Sequence, residues 1–145
     1  MKVRIYRRNP DVSIPLYHTK GAVAFDLVAA EDCLVPSGGC NIMPTGLVIE
    51  IPKGYGLGIL PRSSTGRKTG LMVMNSMGLI DQDFCGLDDE IGVLWYNTKA
   101  VDYQIKKGDR LAQAIFVRID IANFEEINTS KVERKSRGAW GSTDS

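Results

Sequence analysis

The chain has 145 residues, of which 43% are apolar and 24% are charged, and its formal net charge at pH 7 is +1. This length suits one domain with a substantial core, and a charge so near zero provides no global field that would draw the protein to nucleic acid or to a membrane. No apolar run has the length of a signal peptide or a membrane span, so a cytoplasmic protein is expected.

The few cysteines and the one histidine restrict the chemistry. The three cysteines form no Cys-x-x-Cys pair, and His18 has no acidic or cysteine neighbour at metal-ligand spacing, so a tetrahedral zinc site is not expected. Because His18 lies in a polar loop and no second histidine exists, an enzyme built from this chain would most simply use a carboxylate as its base.

Short apolar runs separated by turn residues follow one another along the chain. Fifteen glycines and six prolines fit frequent tight turns. Many short strands at such spacing predict an all-β sandwich, barrel or jelly roll. The predicted strands are Val3–Tyr6, Leu34–Pro36, Gly46–Ile51, Leu57–Leu60, Leu71–Met74, Ile91–Tyr96, Val101–Ile105 and Leu111–Ile119.

Two segments carry a helical signal. Ala22–Ala30 has the composition of a helix, although the spacing of its larger apolar residues also allows a strand, and we favour the strand. A short helical turn is predicted at Ser63–Arg67, where Pro61 precedes Arg-Ser-Ser-Thr.

Two of the predicted strands say more than the others. Ile91–Tyr96 is apolar on both faces, which predicts cover on both sides, from a second sheet or from a partner subunit. In Leu111–Ile119, strict alternation places Gln113 on the same face as large aliphatic residues. A buried amide without a partner costs about 1–3 kcal/mol, so Gln113 must bond to something, and a ligand is one candidate.

A lone carboxylate, Asp81, follows the apolar pair Leu79-Ile80, and Phe84 comes shortly after it. A carboxylate at the end of an apolar run is partly stripped of water, which suits it to act as a base. The alternative is an Asx-turn that closes a hairpin, in which Asp81 only bonds to its own backbone. Taken alone, the segment favours the turn.

Five segments, in this order and spacing, resemble the five motifs of the trimeric dUTP pyrophosphatases (dUTPases). The resemblance implies an all-β jelly roll (β-clip) that assembles as a homotrimer, with a catalytic domain over residues 1–130 and a flexible C-terminal tail over residues 131–145. It also implies active sites that are built from several subunits. The segments are Gly21–Asp32, Pro61–Gly66, Asn75–Gly86, Gly108–Ile115 and Arg137–Thr143.

The resemblance also implies a role for individual residues. Asp81 would activate the attacking water, and Asp26 would support the site's structure or its hydrated metal. Asn75, an amide with both a donor and an acceptor, would read the uracil edge together with the main chain of Gly78, Leu79 and Ile80; the alternative for Asn75 is an ordinary turn residue. The implied phosphate ligands are Arg62, Ser63, Ser64, Gln113, Arg137 and Ser142.

The sequence departs from the family pattern at three places, one of which is the insertion Leu87–Asp89 between Gly86 and the predicted strand at Ile91. Phe84 stands where a tyrosine usually lies under the deoxyribose, which keeps the steric test against a 2′-hydroxyl. In the last segment about two glycine-rich residues are missing before Trp140, which replaces the phenylalanine that covers the uracil, while Gly141 and Ser142 remain as donors to a terminal phosphate. This tail is expected to be mobile until substrate binds.

The implied reaction is hydrolysis of dUTP to dUMP and pyrophosphate, with Mg²⁺ bound through the substrate phosphates and water rather than through protein ligands. Two alternatives stay open. One is a dCTP deaminase, which shares the fold, although the glutamate-bearing Pro-Gly-Phe-Glu-Gly-like turn of those enzymes is absent here. The other is a non-catalytic trimeric binding module, against which the presence of Asp81 argues.

Overall fold

The turn-rich chain forms short antiparallel strands in the computed structural model, which describes residues 1–128 and residue 130. One helix, α1 (Thr65–Thr69), is present among them, so the all-β prediction is confirmed. The strands of this part of the chain are β1 (Arg4–Arg7), β2 (Phe25–Val28), β3 (Cys33–Val35), β4 (Cys40–Pro44), β5 (Leu47–Glu50), β6 (Tyr55–Pro61), β7 (Leu71–Val73), β8 (Gly78–Ile80), β9 (Gly92–Asn97), β10 (Tyr103–Ile105) and β11 (Arg110–Arg118).

The strands pair into four small sheets. The largest has the order β2-β11-β6-β8, and a three-stranded sheet has the order β4-β9-β7. Two further pairs, β1-β5 and β10-β3, complete the layers. Strands β7 and β8 are consecutive in the chain but belong to different sheets, so the short segment between them links the two larger sheets.

The core lies between these sheets. Ile91, just before β9, and Val93 and Trp95 within it are at most 1% exposed. The opposite face of β9 is half-buried. The sequence predicted cover on both faces. Within the described part of one chain only the first face is fully covered, because Leu94 and Tyr96 on the other face stay partly exposed.

The inner face of β11 differs from the prediction. Gln113 shares a face with Ile115 and Val117, as predicted, but that face is only half-buried, whereas Ala112 and Ala114 on the other face are fully buried. The register shifts between Arg110 and Ala112. Such an irregularity interrupts the alternation at Leu111, which is buried beside Ala112, while the alternation from Ala112 onward is unbroken.

The two segments with a helical signal resolve differently. Ala22–Ala30 contains β2, so the extended interpretation is confirmed. The predicted turn at Ser63–Arg67 becomes α1, two residues later, because the Thr65 hydroxyl donates to the Leu111 carbonyl at 2.7 Å and anchors the helix on β11. The helix ends at Gly70, whose φ of 79° lies in the left-handed region that favours glycine.

Strands β4 and β8 were not predicted. Strand β4 has the mixed sequence Cys-Asn-Ile-Met-Pro and β8 has only three residues, so neither forms a recognisable apolar run. Among the residues that the structure describes, no helix is long and apolar enough to cross a membrane.

Candidate active site

Asp81 follows the edge strand β8. Ile80 pairs with Leu57 of β6, and Asp81 borders a cavity of about 540 Å³ together with Tyr55 and Gly56 at the start of β6. The next side chain, Gln82, donates to the Tyr55 carbonyl at 3.1 Å. This hydrogen bond holds the loop after β8 against β6 and fixes where Asp81 leaves the strand.

The carboxylate of Asp81 is exposed and makes no hydrogen bond or ion pair with any residue of the described part of the chain. The Asx-turn alternative is therefore not observed. The expected loss of water is not observed either, because β8 has a strand neighbour on one side only and Leu79 is 57% exposed. An unpaired carboxylate at the rim of a cavity is free to accept a proton from water.

Phe84 lies in the same loop as Asp81. Its backbone N–H is 3.4 Å from the Asp81 carbonyl, and its ring is 37% exposed. Phe84 therefore presents an apolar surface in the loop that also carries the Asp81 carboxylate.

A smaller cavity of about 100 Å³ lies at the other end of β8. Asn75 is in the turn before the strand, and its exposed side chain makes no hydrogen bond to a described residue. The turn is tight, because Ser76 has a positive φ of 65°. Gly78 packs closely against β6, since a Cβ on it would approach Ile59 to 3.1 Å. The edge position of β8 leaves backbone groups on one side unpaired and able to bond a ligand. The cavity is lined by Ile59, Val73, Asn75, Gly78, Leu79, Ile80, Gly92, Val93 and Leu94.

A group of charged side chains, the Asp26 cluster (His18, Asp26, Arg62 and Arg110), lies where β2, β6 and β11 meet. The Asp26 side chain is only 10% exposed, and its Oδ1 forms an ion pair with Arg62 Nε at 3.0 Å. Its Oδ2 lies 3.5 Å from Arg110 Nη1 and 3.3 Å from His18 Nε2. Arg62 also donates through Nη1 to the Arg110 carbonyl at 3.0 Å. The carboxylate therefore orients guanidinium groups, which suit the binding of phosphate oxygens.

Gln113 lies beside this cluster on β11, where its Nε2 donates to the Pro61 carbonyl at 3.1 Å. The predicted need for a partner is met by the backbone, so a ligand is not required to satisfy the donor. This bond joins Gln113 to the residue that immediately precedes Arg62. Two more predicted phosphate ligands follow directly, an exposed Ser63 and a half-buried Ser64.

Asp32, a further acidic residue of the first segment, has a structural role. Its carboxylate accepts from Lys106 Nζ and from the Lys107 N–H, both at 2.8 Å. The hydrogen bond from Lys106, with that from the Lys107 backbone, holds the pKa of Asp32 below its ordinary value. These contacts place Asp32 at a polar strand end rather than in the candidate site.

Within one chain, the Asp26 cluster and Asp81 are not brought together. Asp81 lies beside Gly56, whereas Arg62 follows the last residue of β6. The backbone from Gly56 to Arg62 advances by about 20 Å at the rise of an extended strand. Side chains cannot span this distance, so the predicted base and the predicted phosphate ligands form two separate half-sites.

Sequence reasoning missed His18 and gave Arg110 no role. The sequence places His18 in a polar loop, and nothing in its neighbours along the chain indicates Asp26 as a contact. Arg110 could have been found, because it stands in the fourth segment, three residues before Gln113. The predicted ligands Arg137, Trp140, Gly141 and Ser142 lie outside the described residues.

Comparison with known proteins supports the family that the five sequence segments indicate. The family model described as dUTPase matches residues 11–145. The chain is 36% identical over 143 residues to a deoxyuridine 5'-triphosphate nucleotidohydrolase of Wolinella succinogenes, covering 99% of this chain and 94% of the relative. The corresponding protein of Nautilia profundicola is 38% identical over 143 residues, covering 99% of both chains.

Among solved structures, the dUTPase of Staphylococcus bacteriophage 80alpha, as a G164S mutant with dUpNHpp, superposes with a TM-score of 0.83. It is 22% identical and covers 98% of each chain, which shows a common fold. The match of the family model over most of the chain, and two relatives that are more than 30% identical along their whole length, establish more than a fold. The chain belongs to the dUTPase family of enzymes, the hydrolases of dUTP.

Proposed function

We propose that this dUTP hydrolase works as a homotrimer whose active sites each take Asp81 from one copy of the chain and the phosphate ligands from another. The observation that supports this is the separation of about 20 Å along β6 between Asp81 and Arg62. Both half-sites are open to solvent, so a second copy can bring its Arg62 to the first copy's Asp81.

Exposed apolar side chains support the assembly. After β11 the chain runs without regular structure through Ile121 (87% exposed), Phe124 (94%) and Ile127 (61%). Covering one such side chain stabilises a protein by about 1.5–3 kcal/mol, so three of them strongly favour contact with another surface. Leu79 on the edge strand β8 is also exposed, and contact with another surface would stabilise it in the same way.

The proposed chemistry is a single displacement at the α-phosphorus. A water oxygen attacks the phosphorus while Asp81 takes up its proton; a new P–O bond forms, and the bond to the oxygen that bridges the α- and β-phosphorus atoms breaks. Pyrophosphate leaves with that bridging oxygen, and dUMP carries the oxygen from water. The carboxylate of Asp81 accepts no hydrogen bond from a described residue, which supports the base assignment, because a carboxylate already held by a cation would be a weaker base.

The nucleoside would bind along β8. The amide of Asn75 and the unpaired backbone groups of Gly78, Leu79 and Ile80 offer donors and acceptors for a uracil edge. Phe84, beyond Asp81 in the same loop, would pack against the deoxyribose, where an added 2′-hydroxyl would collide with the ring.

The phosphates would bind at the Asp26 cluster. Arg62 offers a guanidinium that Asp26 orients, Ser63 and Ser64 offer hydroxyls, and Gln113 offers its carboxamide. Arg137, Gly141 and Ser142 complete the proposed ligand set from the tail, and Trp140 would stack on the uracil.

Magnesium fits this chain as an ion carried by the triphosphate. Within the described residues, no three His, Cys, Asp or Glu side chains converge into a metal-binding group. Asp26 lies between Arg62 and Arg110, whose charges disfavour a second cation at that carboxylate. We therefore assign Mg²⁺ to phosphate oxygens and water, where it would neutralise phosphate charge.

The cytoplasmic location of the protein stays a prediction.

A substrate panel tests the proposed activity. With Mg²⁺, dUTP is expected to yield dUMP and pyrophosphate, while dCTP, dTTP and UTP react far more slowly, because Asn75 and Phe84 select the base and the sugar. Pyrophosphate and ammonia are measured in parallel for each nucleotide. Release of ammonia from dCTP would replace this activity with a deaminase, and inertness towards all four nucleotides would leave a binding module.

Removal of residues from Arg137 onward is expected to leave an assembled trimer with strongly reduced turnover. The tail would supply the last phosphate ligands and exclude bulk water from the closed site. Sedimentation measures the assembly, and pyrophosphate release measures the rate. A truncated protein with full activity would show that the short spacer before Trp140 has removed the tail from the mechanism.

A finer measurement uses Trp140 itself. Its fluorescence should change when dUpNHpp is added, and the change should be lost in Trp140→Ala, although Trp95 contributes a constant background. A response that survives in Trp140→Ala would place the change at Trp95 and contradict stacking of Trp140 on the base.

A further inference from the structure

His18 contacts Asp26 and Arg110 within the Asp26 cluster, although it belongs to none of the five segments. Its Nε2 lies 3.3 Å from Asp26 Oδ2 and 3.4 Å from Arg110 Nη1. The Asp26 side chain is nine-tenths buried, yet its Oδ2 has no hydrogen-bond partner with good geometry among the described residues. A buried carboxylate oxygen in this state attracts any donor within reach.

A single ring nitrogen cannot serve both neighbours at once. With a proton on Nε2 the ring donates to Asp26, and without it Nε2 accepts from Arg110. His18 thus contacts both the Asp26 carboxylate, which orients the cluster, and the guanidinium group of Arg110. Asp26 is already paired with Arg62 on its other oxygen, so Arg110 is the less firmly held of the two arginines, and half of its side chain is exposed.

We propose that His18 is a positioning residue that holds Arg110 at the mouth of the Asp26 cluster, ready for the polyphosphate of the substrate. This rests on the proposed binding of phosphates at that cluster. A long exposed arginine loses rotamer freedom when it binds an anion, and a side chain that restricts it beforehand reduces this loss. His18 is 56% exposed at the side chain, so it contributes little to the core and acts at the surface of the site.

Three substitutions at His18 separate the donor function of the ring from its acceptor function. His18→Ala removes both contacts. His18→Gln keeps them, because its amide reaches about as far as Nε2 and carries a donor and an acceptor. His18→Lys keeps a donor for Asp26 but cannot accept from Arg110 and repels it. Lys20→Ala is the matched control in the same loop, since Lys20 is exposed and has no ion pair with a described residue.

The full-length variants are assayed for kcat and KM with dUTP and Mg²⁺, and the binding of inorganic pyrophosphate is measured by calorimetry. His18→Ala is expected to raise KM and to weaken pyrophosphate binding by about 3- to 10-fold, with kcat within about twofold of the parent. His18→Lys should behave like His18→Ala, whereas His18→Gln and Lys20→Ala should match the parent.

An unchanged KM in His18→Ala would overturn the proposal, as would recovery by His18→Lys, which would mean that a charge near Asp26 is all that matters. Failure of His18→Gln to recover would point to the shape of the loop and also count against it. The two proposals fail in different ways. A parent that binds pyrophosphate but leaves dUTP intact contradicts the proposed function, and the pyrophosphate series still decides the role of His18.

Discussion

Replacement of Asp81 by asparagine is expected to lower kcat for dUTP by about 10²- to 10⁴-fold, the usual effect of losing a general base. The amide has nearly the same shape but cannot take a proton from water. Because Asp81 is exposed and its carboxylate makes no hydrogen bond or ion pair with a described residue, the substitution should not disturb the fold. Binding of dUpNHpp, measured by calorimetry, should therefore stay close to that of the parent.

Asp83→Asn is the control for this experiment. Asp83 is also exposed, lies in the same loop and lines the same cavity, so its loss changes the local charge by the same amount. We expect it to retain most of the turnover. Near-parental turnover in Asp81→Asn, or an equal loss in both variants, would contradict the assignment of Asp81 as the base.

The strand pattern was predictable because apolar runs and turn residues are local features. Predictions failed where distant contacts decide the structure. Strand β8 has only three residues and exists because β6 offers it backbone partners. In β11 the face with Gln113, Ile115 and Val117 is only half-buried, and the register shift before Ala112 buries Leu111 next to Ala112. An irregularity of this kind depends on the neighbouring strand β2, so alternation within β11 cannot reveal it.

The candidate site shows the same division. The order of the segments identified Asp81, Asn75, Arg62 and Gln113 as a set, but not which of them lie together. Arg62 and Gln113 meet because β6 and β11 are paired, with Gln113 opposite Leu60. Asp81 lies near the opposite end of β6. The contact of His18 with Asp26 joins residues from a loop and a strand, which no spacing along the chain indicates.

Mixing two inactive variants tests whether the half-sites come from different copies. Arg62→Ala is expected to lose about 10²- to 10³-fold in kcat/KM, as expected when a charged phosphate ligand is removed. Trimers formed from equal amounts of Arg62→Ala and Asp81→Asn chains should recover activity. If Asp81 and Arg62 of one site belong to different copies, about a quarter of the sites receive both native residues under random assembly. If they belong to the same copy, no site does, and the mixture stays as inactive as its parents.

The reverse mixture makes the result quantitative. A double variant, Asp81→Asn with Arg62→Ala, is combined in equal amounts with the parent chain, and mass spectrometry checks that the subunits have exchanged. Sites shared between copies should then retain about a quarter of the parental activity, whereas sites contained within one copy should retain about half. The two mixtures are interpreted together, because without subunit exchange the first mixture would show no activity and the second would show half of the parental activity. Activity near one quarter in both would mean that β6 separates Asp81 and Arg62 within each chain and that assembly brings them together.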